Sequence, residues 1–386
     1  GRMNPSLVSH GFATLPPLPG CALTPLLRPR PRQTAPAAVL ALAVLQTWRR
    51  QNRHRGPRCG LVAVNGADFL NALDQEDPGR SSLRAEWAVP GDLVFEHGST
   101  NDGGSNGLVR VTGSGASSGG SWRRLRFNET TEQSVLLLDA SLRPRYEALA
   151  FGYLKSLAAV GSASLRCLGT AAPWRILVLG VGLGALPGWF ATKAKALVHA
   201  VDLDPMVLDA ASSVGAMPPA IQGLQACLAD AQQNLSAETV ATYCCDGVEY
   251  VAACAKEAVR YDLIVIDVFD GQGNTPETFL TEDFGRNCAA ISTACVVNLT
   301  CPVPMWEDAH SYNAPSAGRL ADAFQSSFQS KVWSVRVPEG QNLIMAATRM
   351  GAPPEKYLEE AALELAQENL FAFDPVRRVS FRRQDW

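Results

Sequence analysis

The first part of this chain lacks acidic residues. Residues 1–67 contain nine arginines, no lysine and no carboxylate, and the first acidic residue is Asp68. An Arg-, Pro- and Ala-rich head without acidic residues is typical of a peptide that targets a protein to an organelle. We expect residues 1–67 to be a targeting or disordered extension, the organelle to be a plastid rather than a mitochondrion, and the mature protein to begin after Arg58.

Long apolar runs are also lacking in this head. Its apolar run, Ala35 to Leu45, is too short for a transmembrane helix, which needs about 20 residues. We therefore expect no transmembrane segment in the mature protein. The remainder of the chain carries 25 basic and 37 acidic residues, whereas the whole chain has a net charge of −3. A segment with this excess of acidic residues repels a phosphate backbone, which argues against nucleic acid as a partner.

The cysteines and histidines form no metal-binding pattern. The ten cysteines include one adjacent pair, Cys244 and Cys245, and no CxxC motif. Several lie in apolar runs, where a free cysteine behaves as a small hydrophobic residue. The five histidines are isolated along the sequence: His10, His54, His97, His199 and His310. We expect no disulfide framework, no zinc site and no other metal site.

The most informative stretch runs from Arg175 to Pro205. A short apolar strand, Arg175 to Leu179, is followed by a loop with three glycines, Gly180, Gly182 and Gly184. A helical segment and a second strand, Ala196 to Val201, come next, and Asp202 ends that strand. Glycines let a ligand approach the backbone, and an acidic residue at this place can accept hydrogen bonds from ribose hydroxyls. The stretch predicts a β-α-β nucleotide-binding unit.

Strands and helices alternate from this unit towards the end of the chain. We count seven strands, of which the first five follow β-α-β order and the last two form a hairpin. This pattern predicts an α/β fold with a doubly wound sheet and an antiparallel edge. A β-hairpin from Leu108 onwards and a strand at Gln133–Leu138 precede it, and Arg145–Val160 has helical spacing. We assign residues 68–145 to a small β-rich module, 146–370 to the main domain and 371–386 to a C-terminal tail.

Three carboxylates follow successive strands: Asp202, Asp246 and Asp267. In an open α/β sheet, ligands bind at the carboxyl ends of the strands, next to the topological switch point. Each residue also has a structural explanation, because Asp202 and Asp246 could cap the next helix and Asp267 could satisfy a loop backbone. Their succession beside a glycine loop favours a binding site.

These residues resemble a known family. GVGLG, VDLDP, CCDG and YDLIVIDVFDG are similar to class I S-adenosylmethionine-dependent methyltransferases, and within them to the spermidine synthase-like branch. The stretch IDVFDGQGNTPETFLTEDF and the preceding hairpin are also similar to that branch, and the resemblance covers about residues 105–350. It implies a seven-stranded Rossmann-like methyltransferase sheet with a small N-terminal β-hairpin module, S-adenosylmethionine binding within residues 146–370, and a homodimer as one option for assembly.

The resemblance also implies roles for individual residues. Gly180, Gly182 and Gly184 would pass under the methionine part of the cofactor. Asp202 would bind the ribose hydroxyls, and Asp246 with Gly247 would meet the adenine amino group. Asp267 matches the carboxylate that takes a proton from the attacking amine in aminopropyltransferases, and Asp270 matches the one that helps hold the amine.

The chain departs from true spermidine synthases in two places. The helix before the glycine strand, RYEALAFGYLKSL, contains no histidine, where these enzymes carry a YHE…H segment. The bulky pair Val268 and Phe269 lies between Asp267 and Asp270, where they carry small hydroxyl residues. We therefore expect a methyltransferase that uses S-adenosylmethionine, with an amine on a protein or a small molecule as acceptor.

Three alternatives stay open. The first is an aminopropyltransferase of polyamine biosynthesis, which would use decarboxylated S-adenosylmethionine. The second is an NAD-dependent dehydrogenase, which the glycine loop and Asp202 would allow but which leaves Asp246 and IDVFDG unexplained. The third is a protein that binds the cofactor without catalysis.

Overall fold

The computed structural model describes residues 88–99, 106–128, 131–233, 236–270, 273–300, 315–338 and 342–386. The expected targeting extension, residues 1–67, and the expected processing site after Arg58 lie outside these ranges. Among the helices that the structure describes, none is both long enough and apolar enough to span a bilayer.

The N-terminal module is a four-stranded antiparallel sheet rather than a single hairpin. Its strands are β1 (Asp92–Gly98), β2 (Leu108–Gly115), β3 (Ser121–Phe127) and β4 (Thr131–Leu138), and they pair in that order. The predicted hairpin corresponds to β2 and β3, joined by a short turn in the Gly–Ser segment. Strand β1 lies in a stretch to which the sequence analysis assigned no element.

The main domain alternates strands and helices as predicted. Its strands are β5 (Arg175–Leu179), β6 (Leu197–Asp202), β7 (Ile221–Gln222), β8 (Thr239–Cys244), β9 (Tyr261–Ile266), β10 (Ser292–Thr300), β11 (Trp333–Arg336), β12 (Asn342–Thr348) and β13 (Gln384–Asp385). Its helices are α1 (Gly152–Cys167), α2 (Ala185–Thr192), α3 (Pro205–Ser213), α4 (Leu224–Ala231), α5 (Gly247–Lys256), α6 (Glu282–Ile291), α7 (Pro315–Phe328), α8 (Glu355–Gln367) and α9 (Pro375–Ser380). A 3₁₀ turn at Glu277–Leu280 precedes α6.

The large sheet has the order β13-β11-β12-β10-β9-β5-β6-β8-β7. The six strands from β10 to β7 are parallel, and β12, β11 and β13 add an antiparallel edge. All seven predicted strands are present, so the doubly wound fold with its antiparallel edge is confirmed. The count of seven is too low by two, because β7 and β13 are two-residue edge strands with no periodicity in the sequence.

Two hydrophobic cores lie on opposite faces of this sheet. Along β5, Ile176 and Val178 belong to the core that includes α1 and α2, whereas Leu177 and Leu179 belong to the core that includes α5 and α6. Successive residues of a strand point to opposite faces, and both faces are covered here. This explains why β5 and β9 are nearly continuous apolar runs in the sequence.

Two segments differ from the sequence-based expectation. The helix predicted over Arg145–Val160 begins at Gly152, because Tyr146 extends away to reach the carbonyl of Ala216 and to pack where a side chain on Gly188 would lie. The C-terminal segment 371–386, expected as a tail, contributes α9 and β13, and β13 pairs with β11. Tertiary contacts explain both differences.

Candidate functional site

A cavity of about 360 Å³ lies at the carboxyl end of the parallel strands. Strand β5 has β6 on one side and β9 on the other, and this place of reversal in the strand order is the topological switch point of the sheet. The volume is within the range of small-molecule sites, about 300–1,000 Å³. Seven of the eight site residues predicted from the sequence line it: Gly180, Gly182, Asp202, Asp246, Gly247, Asp267 and Asp270.

The glycine loop forms the floor of the cavity between β5 and α2. Gly180, Gly182 and Gly184 all have positive φ values, of 88°, 54° and 76°. Gly184 does not line the cavity but is the N-cap of α2, in a left-handed conformation. Within the described part of the chain, the Gly182 N–H donates to no protein acceptor, so it is available to a ligand.

The small sheet reaches this loop through Ser134 of β4. The Ser134 hydroxyl accepts a hydrogen bond of 3.1 Å from the Leu183 N–H, and a Cβ at Gly182 would lie 2.9 Å from the Ser134 Cβ. Gln133 and Ser134 both line the cavity. The N-terminal module therefore contributes directly to the site.

Asp202 ends β6, and its carboxylate accepts hydrogen bonds from nearby backbone N–H groups instead of capping the next helix. Its Oδ2 accepts the Val181 N–H at 2.9 Å, and its Oδ1 accepts the Asp204 N–H at 3.0 Å. A carboxylate oxygen has two lone-pair sites, so both oxygens retain accepting capacity for ribose hydroxyls. Burial raises the pKa of Asp202 to about 6, although these backbone donors oppose the increase.

The residue that caps α3 is Asp204 and not Asp202, and Asp204 was not among the predicted site residues. Asp204 is 1% exposed, and its Oδ1 accepts the Met206 N–H at 2.9 Å as the N-cap of α3. Its Oδ2 accepts the Ser99 hydroxyl at 2.7 Å and the Asn106 amide at 2.8 Å. Asp204 therefore connects the end of β6 to the segment between β1 and β2.

Asp246 lines the cavity and is also a helix cap. Its Oδ1 accepts the Val248 and Glu249 N–H groups, at 2.7 Å and 3.0 Å, at the N-terminus of α5. Within the described residues, Oδ2 accepts no hydrogen bond. The structural and the functional explanations of Asp246 are therefore compatible, because each uses a different oxygen.

Asp267 follows β9 directly beside the glycine loop. Its N–H donates to the Leu179 carbonyl at 2.8 Å, and its Oδ1 accepts the Asn298 amide at 2.8 Å. Burial raises the pKa of Asp267 to about 6, and the Asn298 hydrogen bond opposes that increase. In the described chain Oδ2 has no donor, so one oxygen of a carboxylate with a raised pKa remains for a ligand. A pKa in this range suits a proton acceptor near neutral pH.

Asp270 also lines the cavity, but its carboxylate is used within its own loop. Its Oδ1 accepts the Asn274 N–H at 2.8 Å, and its Oδ2 lies 3.4 Å from the Asn274 side-chain amide. Val268 and Phe269 line the cavity between the two carboxylates. Both carboxylate oxygens of Asp270 therefore lie near Asn274, whereas Asp267 Oδ2 has no such contact.

Part of the cavity lining is apolar and aromatic, and these residues were not predicted from the sequence. It consists of Leu125 and Phe127 from β3 and Tyr153 and Leu154 from α1. Periodicity identifies such residues as core, so no sequence signal distinguishes them as cavity walls.

Among the described lining residues there are five carboxylates and no Lys, Arg or His, so the cavity favours cationic groups. No group of three or more His, Cys, Asp or Glu residues in the described ranges could hold a metal ion.

Comparisons with known proteins give similarity at the level of the fold. No protein-family model and no curated protein matches the sequence. The crystal structure of a probable spermidine synthase from Corynebacterium glutamicum matches with a TM-score of 0.50 and 16% identity, over 71% of this chain and 86% of that one. The chain has a spermidine synthase-like fold.

Two other solved structures match with lower TM-scores. Spermidine synthase from Thermotoga maritima matches with a TM-score of 0.41 and 16% identity, over 69% of this chain and 75% of that chain. Human methyltransferase-like protein 13, in complex with SAH, matches with a TM-score of 0.41 and 22% identity, over 56% of this chain and 89% of that chain.

Proposed function

We propose that this protein is an S-adenosylmethionine-dependent methyltransferase that acts on an amine of a small molecule or a protein. The observation that carries the proposal is the convergence of the glycine loop with Asp202, Asp246 and Asp267 on one cavity. These residues come from the ends of different strands, and only the switch point of the sheet brings them together.

The residues around the cavity suit this cofactor. A Cβ at Gly180 would overlap the backbone carbonyl of Asp267, so only a glycine lets the loop pass this close to the end of β9. The ribose would be held by Asp202, the adenine amino group by Asp246 Oδ2 and the methionine carboxylate by the Gly182 N–H. When bound, S-adenosylmethionine supplies an electrophilic methyl group on a positively charged sulfonium.

Asp267 is the proton acceptor in this proposal. An amine attacks only in its neutral form, so a proton must leave the nitrogen before or during transfer. Asp267 Oδ2 takes that proton, and the ionised carboxylate also attracts the cationic acceptor into the cavity. Val268 and Phe269 line the cavity beside Asp267. Their bulk fills space that a slender diamine would need, so we expect putrescine to be a poor acceptor.

A second candidate is an aminopropyltransferase that uses decarboxylated S-adenosylmethionine. One observation favours it: among the described lining residues there is no cationic side chain to pair with the methionine carboxylate. A cofactor without this carboxylate has a higher net positive charge, which suits a cavity with five acidic residues. The two candidates differ in the cofactor that binds and in the group that is transferred.

Calorimetric titration with S-adenosylmethionine, decarboxylated S-adenosylmethionine and NAD separates these candidates. We expect S-adenosylmethionine to bind and NAD not to bind. Preference for the decarboxylated cofactor supports the second candidate, and preference for NAD supports a dehydrogenase.

Transfer is then measured with the cofactor that binds. Isotope-labelled S-adenosylmethionine is incubated with amine-bearing small molecules and with protein extract, and the Asp267→Asn variant is the control. We expect label transfer that depends on Asp267. Spermidine formed from putrescine and decarboxylated S-adenosylmethionine at enzyme-like turnover would overturn the methyltransferase proposal, and binding without any transfer would support a non-catalytic relative.

A further inference from the structure

Behind Asp267, outside the cavity lining, lies a chain of two side-chain amides. Asn298 on β10 is 1% exposed, and its Nδ2 donates to Asp267 Oδ1 at 2.8 Å. Its Oδ1 accepts the Nδ2 of Asn342, on the neighbouring strand β12, at 3.0 Å. The hydrogen bonds therefore run in one direction, from Asn342 through Asn298 to Asp267.

We propose that Asn298, oriented by Asn342, is a positioning residue that fixes the Asp267 carboxylate with Oδ2 towards the cavity and favours its ionised form. The inference rests on the proposed role of Asp267 as proton acceptor. Asn298 does not line the cavity, so it acts through Asp267 and not on a ligand.

The surroundings of Asn298 argue against a purely structural role. The neighbouring residues of β10, Val296, Val297 and Leu299, are apolar and buried, as are Leu343 and Ile344 on β12. An apolar side chain would pack at this position without the cost of burying an amide. The Asn298 amide lies in an apolar strand, and the side-chain hydrogen bonds that the structure gives it go to Asp267 and Asn342.

Asn342 supplies the direction. An amide that presented its oxygen to a carboxylate would bring two acceptors together, whereas its NH₂ group donates. The Asn342 donor occupies Asn298 Oδ1 and thereby turns the NH₂ group towards Asp267. The oriented NH₂ group of Asn298 is a rigid donor to Asp267 Oδ1. It fixes the plane of the Asp267 carboxylate, and with it the direction of Asp267 Oδ2.

The other titratable groups around Asp267 do not replace this donor. Burial raises the pKa of Tyr153, on α1, far above the usual value, and the charge of Asp267 raises it further, so Tyr153 stays neutral. Asp202, Asp246 and Asp270 line the same cavity and are acidic. Among the described residues, the Asn298 hydrogen bond is therefore the interaction that opposes the effect of burial on Asp267.

The test is a ¹³C NMR titration of Asp carboxyl groups in the full-length protein without substrate, with the Asp267 signal assigned by its loss in Asp267→Asn. In Asn298→Leu we expect the titration midpoint of Asp267 to rise by about one pH unit, the equivalent of one charge-assisted hydrogen bond. The pH profile of transfer should shift in the same direction, with a fall of about twofold at pH 7 and about tenfold below about pH 5, and the dissociation constant for the cofactor should be unchanged. An unchanged midpoint would overturn the inference.

Two further variants keep the test decisive if Asn298→Leu does not fold. Asn298→Asp keeps the shape but replaces the donor by a second carboxyl, so the pair should titrate in two separated steps with one midpoint raised. Asn342→Ala is at a partly exposed position and should raise the midpoint by a smaller amount, since it only releases the orientation of Asn298. A normal Asp267 midpoint in both variants contradicts the inference.

Asn274→Ala is the matched control, because it removes a side-chain amide that lies 3.4 Å from the neighbouring carboxylate, Asp270, and not one that contacts Asp267. Its effect on the Asp267 midpoint should be negligible. The titration needs no turnover, so it also separates the inference from the proposed function. If the Asp267 midpoint shifts in Asn298→Leu while the wild-type protein transfers no methyl group, the positioning role is supported and the methyltransferase proposal is refuted.

Discussion

A Cβ placed on Gly180 would lie 2.1 Å from the carbonyl oxygen of Asp267. Gly180 directly follows β5 and Asp267 directly follows the neighbouring strand β9, so the glycine loop and the segment of Asp267 approach each other through backbone atoms. A side chain cannot be accommodated here, because the obstacle is backbone and the φ of Gly180 is 88°. The glycine is therefore required by the contact with Asp267 as well as by the turn.

Gly180→Ala should accordingly destabilise the protein strongly. The left-handed conformation and the overlap with Asp267 together predict a loss of about 3 kcal/mol or more in the free energy of unfolding. Gly247→Ala is the matched control, since its Cβ would have its nearest neighbour at 3.5 Å, an ordinary contact. Urea denaturation of both variants checks this, and equal stability would refute the overlap argument.

Asp202→Ala should weaken binding of S-adenosylmethionine by about 1.5–3 kcal/mol, the cost of leaving charged hydrogen-bond partners unpaired. The structure removes one competing explanation, because the cap of α3 is Asp204 and not Asp202. Asp209→Ala, on the exposed face of α3, is the control. Calorimetry on the three proteins measures the effect, and unchanged affinity in Asp202→Ala would limit this residue to a structural role.

Asp267→Asn and Asp270→Asn should have different kinetic effects. Asp267→Asn keeps the shape and removes the proton acceptor, so we expect a fall in the transfer rate of about two to four orders of magnitude at nearly unchanged cofactor affinity. Asp270 is held by Asn274, and Asp270→Asn should mainly raise KM for the acceptor, by about tenfold. Equal losses of kcat in both variants would contradict this division of roles.

The transfer rate should depend on pH through Asp267, whose pKa burial raises to about 6. The ionised form is required, so the rate should fall about tenfold per pH unit below about pH 6 and level off above it. Stability changes in the opposite direction. Because the folded state binds this proton more tightly than the unfolded state, the free energy of unfolding, relative to Asp267→Asn, falls as the pH rises from about 4 to about 6. Single-turnover rates and urea denaturation across this range measure both, and a flat wild-type rate profile would rule out Asp267 as the proton acceptor.

Asp204→Ala should destabilise the protein more than the loss of a simple helix cap. It removes the cap of α3 and leaves Ser99 and Asn106 without their acceptor, which predicts a loss of about 2–4 kcal/mol. Thr281→Ala removes an exposed cap at α6 and should cost about 1 kcal/mol. Chemical denaturation compares the two, and equal losses would mean that the bonds to Ser99 and Asn106 contribute nothing.

Local patterns were enough for much of the fold. The apolar runs of β5 and β9, the glycines between β5 and α2 and the acidic residues after β6, β8 and β9 are all local features. Parallel strands in β-α-β order align their carboxyl ends at one edge, so the gathering of Asp202, Asp246 and Asp267 followed from chain order alone. The two-residue strands β7 and β13 could not be predicted, because pairing partners define them and two residues have no period.

The residues of the site that escaped prediction share another property. Ser134 belongs to the small sheet and reaches the glycine loop, Asp204 bonds to Ser99 and Asn106, and Asn298 lies behind Asp267 on a different strand. Each acts through a partner that is distant in the sequence and that no local spacing identifies.

The sequence by itself therefore determined the order of elements and the acidic edge of the sheet, because periodicity and strand ends are local. Which carboxylate oxygen is free, which aspartate caps a helix and how burial raises the pKa of Asp267 were decided by tertiary packing. Hydrogen-bond partners and solvent exclusion depend on segments that meet only in the folded chain.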